Sequence, residues 1–298
     1  MKKKSSFSTQ GQRADIGELE IYRMLPNRYA DAVGPFVFLD HIVPGMQTEI
    51  SKEGTGAHPH RGIATLTYIL NGEDEHFDSA GNYALVHSGG LQWMNAGNGI
   101  IHDETLNYDS QTDSKLVHAL QFWINLPSEI KAGKPGYLAV EGSKVPYKDL
   151  PHGKGWIKVV AGSFEDLNSV IPAFSEQFLY HIHLEPGAYF EIDFADKLEV
   201  AAYLPELPGT INDETFNAGD FVEFDREEGS IELKNKNMEA CDFLLFGGAS
   251  YQESIFAEGP FVMNSKLDIA HAYRDYFNGD YGKIDYEKQR AKTQQGSV

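Results

Sequence analysis

The most constraining feature of the chain is a series of short runs, apolar or alternating, that are separated by Gly, Asn, Asp and Pro. The runs are rich in β-branched and aromatic residues, which favour strands. Their regular spacing is typical of a β-sandwich or β-barrel, so the sequence predicts an all-β chain. The runs are ELEIYRML (18–25), GPFVFLDHI (34–42), ATLTYIL (64–70), LVHALQFWINL (116–126), WIKVVAG (156–162), QFLYHIHL (177–184), LEVAAYL (198–204), DFVEFD (220–225), GSIELKN (229–235) and CDFLLFGG (241–248).

The two halves of the chain share a weak layout, in which a Gly-containing turn segment precedes further strands. GGLQWMNAGNG (89–99) occupies this place in the first half and FNAGDFVEF (216–224) in the second. The layout predicts two β-domains, residues 1–135 and 136–298. Helix signals are confined mainly to the C-terminal region, where residues 266–282 have the apolar period of an amphipathic helix and the polar tail 287–298 is expected to be frayed.

Composition and charge exclude several classes of function. The 298-residue chain has 41% hydrophobic residues and a formal net charge of −19, which is typical of a globular protein and unfavourable for direct contact with nucleic acid or an anionic membrane. The chain has a single cysteine, Cys241, which excludes an intrachain disulfide framework. Because Cys241 lies in an apolar run, we expect a buried thiol. The N-terminus has no apolar segment of a signal peptide, and no run approaches a membrane span, so we expect a cytoplasmic protein.

The stretch GAHPHRG (56–62) places His58 and His60 two positions apart. In a strand such residues point to the same face, as a pair of metal ligands would require. The spacing alone is weak evidence for a metal site. Eleven histidines in this length predict roughly 0.4 such pairs by composition, and the chain contains a second pair, His181 and His183.

A matching pair follows in GNGIIHDETL (97–106), where His102 and Glu104 also lie two positions apart. Asp103, between them, would point to the opposite face. If the two strands are neighbours, three imidazoles and one carboxylate can converge and leave open positions on a metal ion. Taken alone, His58 and His60 would be interpreted as surface or core histidines, and His102 and Glu104 as a hydrogen-bonded cross-strand pair.

The order of motifs resembles the pirin family, a branch of the cupin superfamily. The resemblance rests on GPFVFLDHI, HPHRG, GGLQWMNAGNGIIHDE and LQFWINLP, which cover most of residues 20–130, and it extends more loosely over the second half. It implies two cupin-type (jelly-roll) β-sandwich domains in tandem. It also implies one divalent metal ion in the N-terminal domain, most often Fe(II), although other transition metals could occupy the same site.

Carried over from the family, the metal ligands are His58, His60, His102 and Glu104. The broader cupin pattern has a Glu four or five residues after the second histidine, but Ala64 and Thr65 stand there in this chain. Glu104 is therefore the acidic ligand that the resemblance implies. Three further residues are expected near the ligands: Arg61 and Gln92 as groups that could orient them, and Asp103 as a supporting or solvent-facing group.

The second histidine pair differs from the first in its surroundings. His181 and His183 precede the turn EPG, whereas cupin ligands follow the turn glycine, and the segment after it, AYFEIDF, contains no histidine. The C-terminal domain is therefore expected to be a cupin without a metal. His181 and His183 are interpreted as structural or surface groups.

The resemblance implies an enzyme, a dioxygenase that cleaves flavonols such as quercetin, with Glu104 as catalytic base and metal ligand. Its partners would be a small aromatic, flavonol-like substrate and dioxygen. The alternative is an iron-binding, redox-sensitive regulatory protein that acts through a protein partner, and a third reading is a metal-binding cupin with an unrelated small substrate. Motifs of serine hydrolases, P-loop NTPases and dinucleotide-binding folds are absent from the sequence.

Overall fold

The computed structural model describes the backbone of residues 1–295 and the side chains of residues 1–291. Strands dominate, and every run predicted as a strand forms one. The strands are β1 Ser5–Gln10, β2 Gln12–Arg13, β3 Ile21–Leu25, β4 Phe36–Met46, β5 His58–His60, β6 Ile63–Asn71, β7 Glu73–Asp78, β8 Tyr83–His87, β9 Leu91–Asn95, β10 Ile100–Asn107, β11 Leu116–Asn125, β12 Gly136–Val140, β13 Tyr147–Asp149, β14 Gly155–Ala161, β15 Ser163–Phe164, β16 Leu167–Asn168, β17 Gln177–Leu184, β18 Tyr189–Phe194, β19 Leu198–Tyr203, β20 Gly209–Ile211, β21 Glu214–Phe216, β22 Asp220–Phe224, β23 Gly229–Lys234, β24 Cys241–Ala249, β25 Phe256–Glu258 and β26 Phe261–Met263.

Three α-helices and two 3-10 helices complete the described part of the chain: α1 Ser128–Lys131, α2 Lys266–Phe277, α3 Tyr286–Gln295, and the 3-10 helices Gly142–Lys144 and Pro151–Gly153. The amphipathic helix expected within 266–282 is α2, and the Ser265 side chain caps it by accepting from the Asp268 N–H. The tail expected to be frayed from residue 287 is instead helical through Gln295, and its last three residues lie outside the described chain. None of the described helices is long and apolar enough to cross a membrane.

The chain divides into two compact units, each built from separate segments. Unit 1 contains residues 1–14, 22–41 and 145–251, and unit 2 contains residues 15–21, 42–144 and 252–298. These units differ from the contiguous division at 135/136 that the sequence predicted. The N-terminal β1 belongs with the second half because it pairs with β22, with Ser8 opposite Val222. Hydrogen bonding between strands, rather than proximity along the sequence, decides the grouping.

Unit 1 is a β-sandwich with an apolar core. One sheet has the order β1-β22-β19-β24-β17-β14-β13 and the other β18-β23-β20-β21. Along β17, Phe178, Tyr180 and Ile182 point into the core, so His181 and His183 stand on the outer face of that sheet, as the two-residue period requires. Cys241 is buried in the same core, as its apolar run predicted.

Unit 2 is also a β-sandwich, but the space between its sheets is polar. A sheet with the order β5-β10-β7-β8 faces the consecutive strands β12-β9-β6-β11 of the other sheet. The His76 ring on β7 stacks on Tyr137 of β12, with ring centroids 4.2 Å apart. We call this space the polar interior of unit 2; the residues that line it include Thr67, Asp74, His76, Gln92, His102, Glu104, Gln121 and Tyr137.

Two glycines fix the backbone where the candidate ligands enter. Gly62 has φ +82°, and a Cβ there would collide with the Val262 carbonyl oxygen. Gly99 has φ +121°, and a Cβ there would collide with the Tyr281 ring. Only glycine adopts such angles without strain and leaves this room. The two positions end the His58–His60 strand and begin the strand of His102.

Candidate metal centre

Three histidines from two neighbouring strands meet at one end of the polar interior. β5 and β10 are antiparallel, with His102 opposite His58 and Ile100 opposite His60. The ring centroids lie 4.4 Å apart for His58 and His102, 4.9 Å for His60 and His102, and 5.0 Å for His58 and His60. One nitrogen from each ring lies within 4.8 Å of the others, so the three could hold a metal ion.

Backbone carbonyl oxygens orient two of these rings. His58 Nδ1 lies 2.7 Å from the Gly56 oxygen, and His60 Nδ1 lies 3.1 Å from the Pro260 oxygen. A carbonyl can only accept, so each Nδ1 carries the proton and donates it. The Nε2 lone pair of each ring is then available to a metal ion.

Burial keeps the inner two rings neutral. His60 is 2% exposed and His102 is fully buried. Burial, together with the neighbouring His58, lowers the pKa of His60 to about 3. Burial and the three nearby histidines lower the pKa of His102 well below its ordinary value. Neutral imidazole is the form that binds metal ions, so the set is suited to a cation at neutral pH.

The spacing of the ring nitrogens fits a bound metal ion. His58 Nε2 and His102 Nε2 lie 3.0 Å apart. Two nitrogens bound at ~2.1 Å and at right angles on one ion would be separated by about 3.0 Å. The other nitrogen of His102, Nδ1, is buried without a hydrogen-bond partner among the described residues. An imidazole donor set of this kind suits iron, nickel, copper or zinc.

Glu104 lies in the same interior but in a second group. Its carboxylate accepts from Gln121 Nε2 at 2.9 Å and from Thr67 Oγ1 at 3.3 Å. Its oxygens lie 4.0 Å from His102 Nδ1 and 3.8 Å from His76 Nδ1. The structure thus places the four residues singled out from the sequence together, but as two donor groups, His58/His60/His102 and His76/His102/Glu104, that share His102.

His76 is the functional candidate that the sequence did not reveal. It lies opposite Glu104 in the β7–β10 pair, and its Nδ1 is buried without a hydrogen-bond partner among the described residues. Burial opposes its positive charge, but Asp78 and Glu104 prevail and raise the pKa of His76 to about 9. In the sequence, His76 and Asp78 lie two positions apart, which places them on the same face of a strand. Without the strand order, however, His76 could not be placed next to Glu104.

Two residues expected to orient ligands make other contacts. Arg61 Nη1 binds Asp275 at 2.7 Å and the Tyr281 hydroxyl at 3.3 Å. Gln92 Nε2 donates to the Asp74 carbonyl at 2.8 Å, and Gln92 Oε1 accepts from the Tyr137 hydroxyl. These hydrogen bonds of Arg61 and Gln92 fix neighbouring segments rather than the candidate ligands.

A groove of about 530 Å³ in unit 2 reaches Glu104. Its lining includes the aliphatic side chains of Leu19, Ile50 and Leu106 beside the carboxylates of Glu18 and other glutamates. The volume lies in the range of small-molecule sites. Such a lining suits an uncharged, partly apolar ligand with hydroxyl donors better than an anion.

The remaining histidine clusters have structural explanations. In unit 1, His181 Nε2 and His183 Nδ1 both lie within 2.9 Å of Asp242 Oδ1, and His183 stacks on Trp156. In unit 2, His87 lies beside Glu73 and Asp109, a third group that could hold a metal ion. Backbone N–H groups donate to both of its carboxylates, which already satisfies their charge without a metal ion.

Comparison with known proteins places the chain in a family. The family model of pirin matches residues 18–124, and that of the pirin C-terminal cupin domain matches residues 179–282. A Pseudomonas aeruginosa protein, named as a candidate quercetin 2,3-dioxygenase, is 31% identical over 89% of this chain and 93% of its own length. A pirin-like protein of Caulobacter vibrioides is 31% identical over 90% of this chain and 91% of its own.

Solved structures agree with this assignment. The crystal structure of a quercetin 2,3-dioxygenase from Acinetobacter baumannii superimposes with a TM-score of 0.88 at 28% identity, covering 96% of this chain and 100% of the other. A pirin of Escherichia coli, solved in complex with nickel(II), shares the fold with a TM-score of 0.62 at 22% identity over 82% of this chain and 99% of its own. The chain belongs to the pirin family.

Proposed function

We propose that the protein is a metal-dependent dioxygenase that cleaves flavonols such as quercetin, with Fe(II) at His58, His60, His102 and Glu104. The observation that carries the proposal is the meeting of three imidazoles at one end of the polar interior with Glu104 beside them. The similarity to proteins named as quercetin 2,3-dioxygenases supports the choice of substrate. Iron bound there would supply a Lewis-acid and redox centre for the flavonol oxygens and dioxygen.

The protein's own groups would position the substrate and accept its proton. The Glu104 carboxylate, held by Gln121 and Thr67, would take the proton of the flavonol hydroxyl on one of its oxygens. The aliphatic side of the groove would pack on the flavonol rings, and the burial of His60 and His102 would keep water from the reacting end.

The test is quercetin loss under air by purified protein loaded separately with Fe(II), Ni(II) and other divalent metals. We expect loss of the flavonol absorbance with stoichiometric uptake of dioxygen and release of carbon monoxide. Glu104→Gln should lower kcat/KM about 100-fold or more because it removes the proton acceptor. Glu129→Gln, an exposed change on α1 outside the groove lining, is the matched control and should have little effect.

Metal-loaded protein that leaves quercetin untouched would contradict the enzymatic proposal. The alternative, an iron-binding regulatory protein that acts through a protein partner, would then gain support. Cleavage by Glu104→Gln at the unmodified rate would leave the activity standing but would remove Glu104 as the base.

A further inference from the structure

Asp103 lies on β10 between His102 and Glu104 but faces the other side of the sheet. It is 9% exposed, and its two carboxylate oxygens have different partners. Oδ1 accepts from the Gly56 N–H at 3.1 Å, and Oδ2 accepts from the Tyr286 hydroxyl at 2.8 Å. One carboxylate therefore joins the segment before His58 to the start of α3.

Gly56 connects this carboxylate to a candidate ligand through its own N–H and C=O groups. Its N–H donates to Asp103, and its carbonyl oxygen accepts from His58 Nδ1 at 2.7 Å. The preceding residue, Thr55, donates its N–H to the Glu104 carbonyl at 2.8 Å. A Cβ at Gly54 would collide with Asp103 Oδ1, so the segment can approach this closely only with glycine there.

Tyr286 is fixed on its other side as well. Its ring packs against Phe77, with centroids 5.0 Å apart. Burial and the neighbouring Asp103 raise the pKa of Tyr286 to about 12, so the hydroxyl remains a donor at neutral pH. Further along α3, Gln289 Nε2 donates to the Asp78 carbonyl at 2.9 Å and Arg290 pairs with Glu75 at 2.8 Å. The helix is thus attached to β7 and to Asp103.

The ligand at the end of this chain of contacts is the most accessible of the three. His60 and His102 are buried, whereas His58 is only half-buried. His60 takes its orientation from Pro260, which does not depend on Asp103. His58 takes its orientation from Gly56, which Asp103 holds. Loss of the Asp103 contacts would therefore loosen His58 first.

We propose that Asp103 and Tyr286 are positioning residues that hold His58 in its metal-binding orientation, so that α3 sets how slowly the site exchanges its metal. The inference rests on the proposed metal site and adds to it a control element that the C-terminal helix provides. A hydrogen bond that orients a ligand typically changes metal affinity by about 10- to 100-fold.

The experiment measures the release of Co(II) or Zn(II) from full-length protein to an excess chelator, without flavonol. We expect Asp103→Ala to release the metal about 10-fold faster or more, and Tyr286→Phe a few-fold faster. Asp103→Asn retains one acceptor oxygen, so its release rate should lie between those of Asp103→Ala and Tyr286→Phe. Tyr180→Phe is the matched control, because it removes a tyrosine hydroxyl that donates to the Ser163 carbonyl in unit 1; its release rate should equal that of the unmodified protein.

A double-mutant cycle separates positioning from general destabilisation. In a His58→Ala background, Asp103→Ala should cause no further acceleration, because its target is already absent. The Co(II) absorption bands of Asp103→Ala should shift toward those of His58→Ala. Additive effects of the two substitutions on the release rate would contradict the proposal. It would also be contradicted if Tyr286→Phe and Asp103→Ala both released metal at the unmodified rate while keeping the unfolding temperature of the unmodified protein.

These outcomes are distinct from failure of the proposed function, because no step requires flavonol or dioxygen. Slow release that depends on Asp103, in a protein inactive on quercetin, would support the positioning role and reject the dioxygenase. If His58→Ala released metal at the unmodified rate, the ligand assignment and the positioning role would both be wrong.

Discussion

In unit 1 the space between the two sheets is filled by apolar side chains such as Ile182 and Phe243, whereas in unit 2 the corresponding space contains His102, Glu104 and Gln121. Both units are β-sandwiches of the cupin type. The difference lies in which residues occupy the inward positions of each strand. In unit 1 the pair His181/His183 stands on the outer face of its sheet; in unit 2 the pair His58/His60 stands beside His102, with which it could hold a metal ion. One architecture thus supports a stabilising core in one unit and a candidate reactive site in the other.

The largest expected change in the free energy of unfolding comes from opening a cavity in the apolar interior of unit 1. Phe243, fully buried in unit 1, packs between its sheets, so Phe243→Ala should lower the free energy of unfolding by about 3–5 kcal/mol. Urea unfolding measures the change. Phe277→Ala, at a 78% exposed position on α2, is the control and should have little effect. Equal effects of the two changes would show that the unit 1 core is not packed as described.

In the polar interior of unit 2, one substitution of a buried residue should raise the free energy of unfolding instead of lowering it. Asp74 is 1% exposed, and neither of its carboxylate oxygens has a hydrogen-bond partner among the described residues. Asp74→Leu should raise the free energy of unfolding of the metal-free protein by about 1–3 kcal/mol because it removes an unsatisfied polar group. On the same strand, Asp78 accepts from Asn82 at 2.7 and 2.9 Å, so Asp78→Leu should be destabilising.

Equal signs for these two changes would contradict the account of this interior. Stabilisation by both would mean that its polar contacts contribute nothing, and destabilisation by both would mean that Asp74 has a partner. Urea unfolding under matched, chelator-treated conditions distinguishes these outcomes.

A smaller change is expected in the pH dependence of stability, and it comes from the carboxyl group of Glu223 in unit 1. Burial and the nearby Glu199 raise the pKa of Glu223 from its ordinary 4.5 to about 7. The folded protein therefore keeps this proton between these two pH values while the unfolded chain releases it, so stability falls as pH rises through this window. Glu223→Gln should remove that loss and make the protein more stable than the unmodified one at pH 8 but not at pH 4.

Thermal unfolding at the two pH values measures this difference. Glu228→Gln, an exposed change in the same unit, is the control and should leave the pH dependence unchanged. A Glu223→Gln variant with the pH dependence of the unmodified protein would show that Glu223 does not titrate in this range.

Local patterns were sufficient to predict the strands and the shared faces of the two candidate ligand pairs. The two-residue period placed His58 with His60 and His102 with Glu104 on shared faces, and the structure brings the three histidines together. The amphipathic period likewise predicted α2. Each of these features depends on neighbours within one element, which a sequence displays directly.

The rest depends on partners far apart in the sequence. The pairing of β1 with β22, the contact of His60 with Pro260 and the contact of Asp103 with Tyr286 join residues about 180 or more positions apart. The polar side chains in these contacts do not recur at a regular spacing in the sequence. A backbone carbonyl acceptor, such as that of Pro260, cannot be recognised from the residue type at all. His76 had to remain unassigned until the order of β7 and β10 was known.

We propose that unit 2, and not unit 1, binds a metal ion through its histidines. Metal content per chain, measured after purification and dialysis, tests it most directly in the unmodified protein, in His102→Ala and in the double variant His181→Ala/His183→Ala. We predict about one ion per chain in the unmodified protein and in the double variant, and near-complete loss in His102→Ala. Full metal content in His102→Ala, or loss confined to the double variant, would contradict the account.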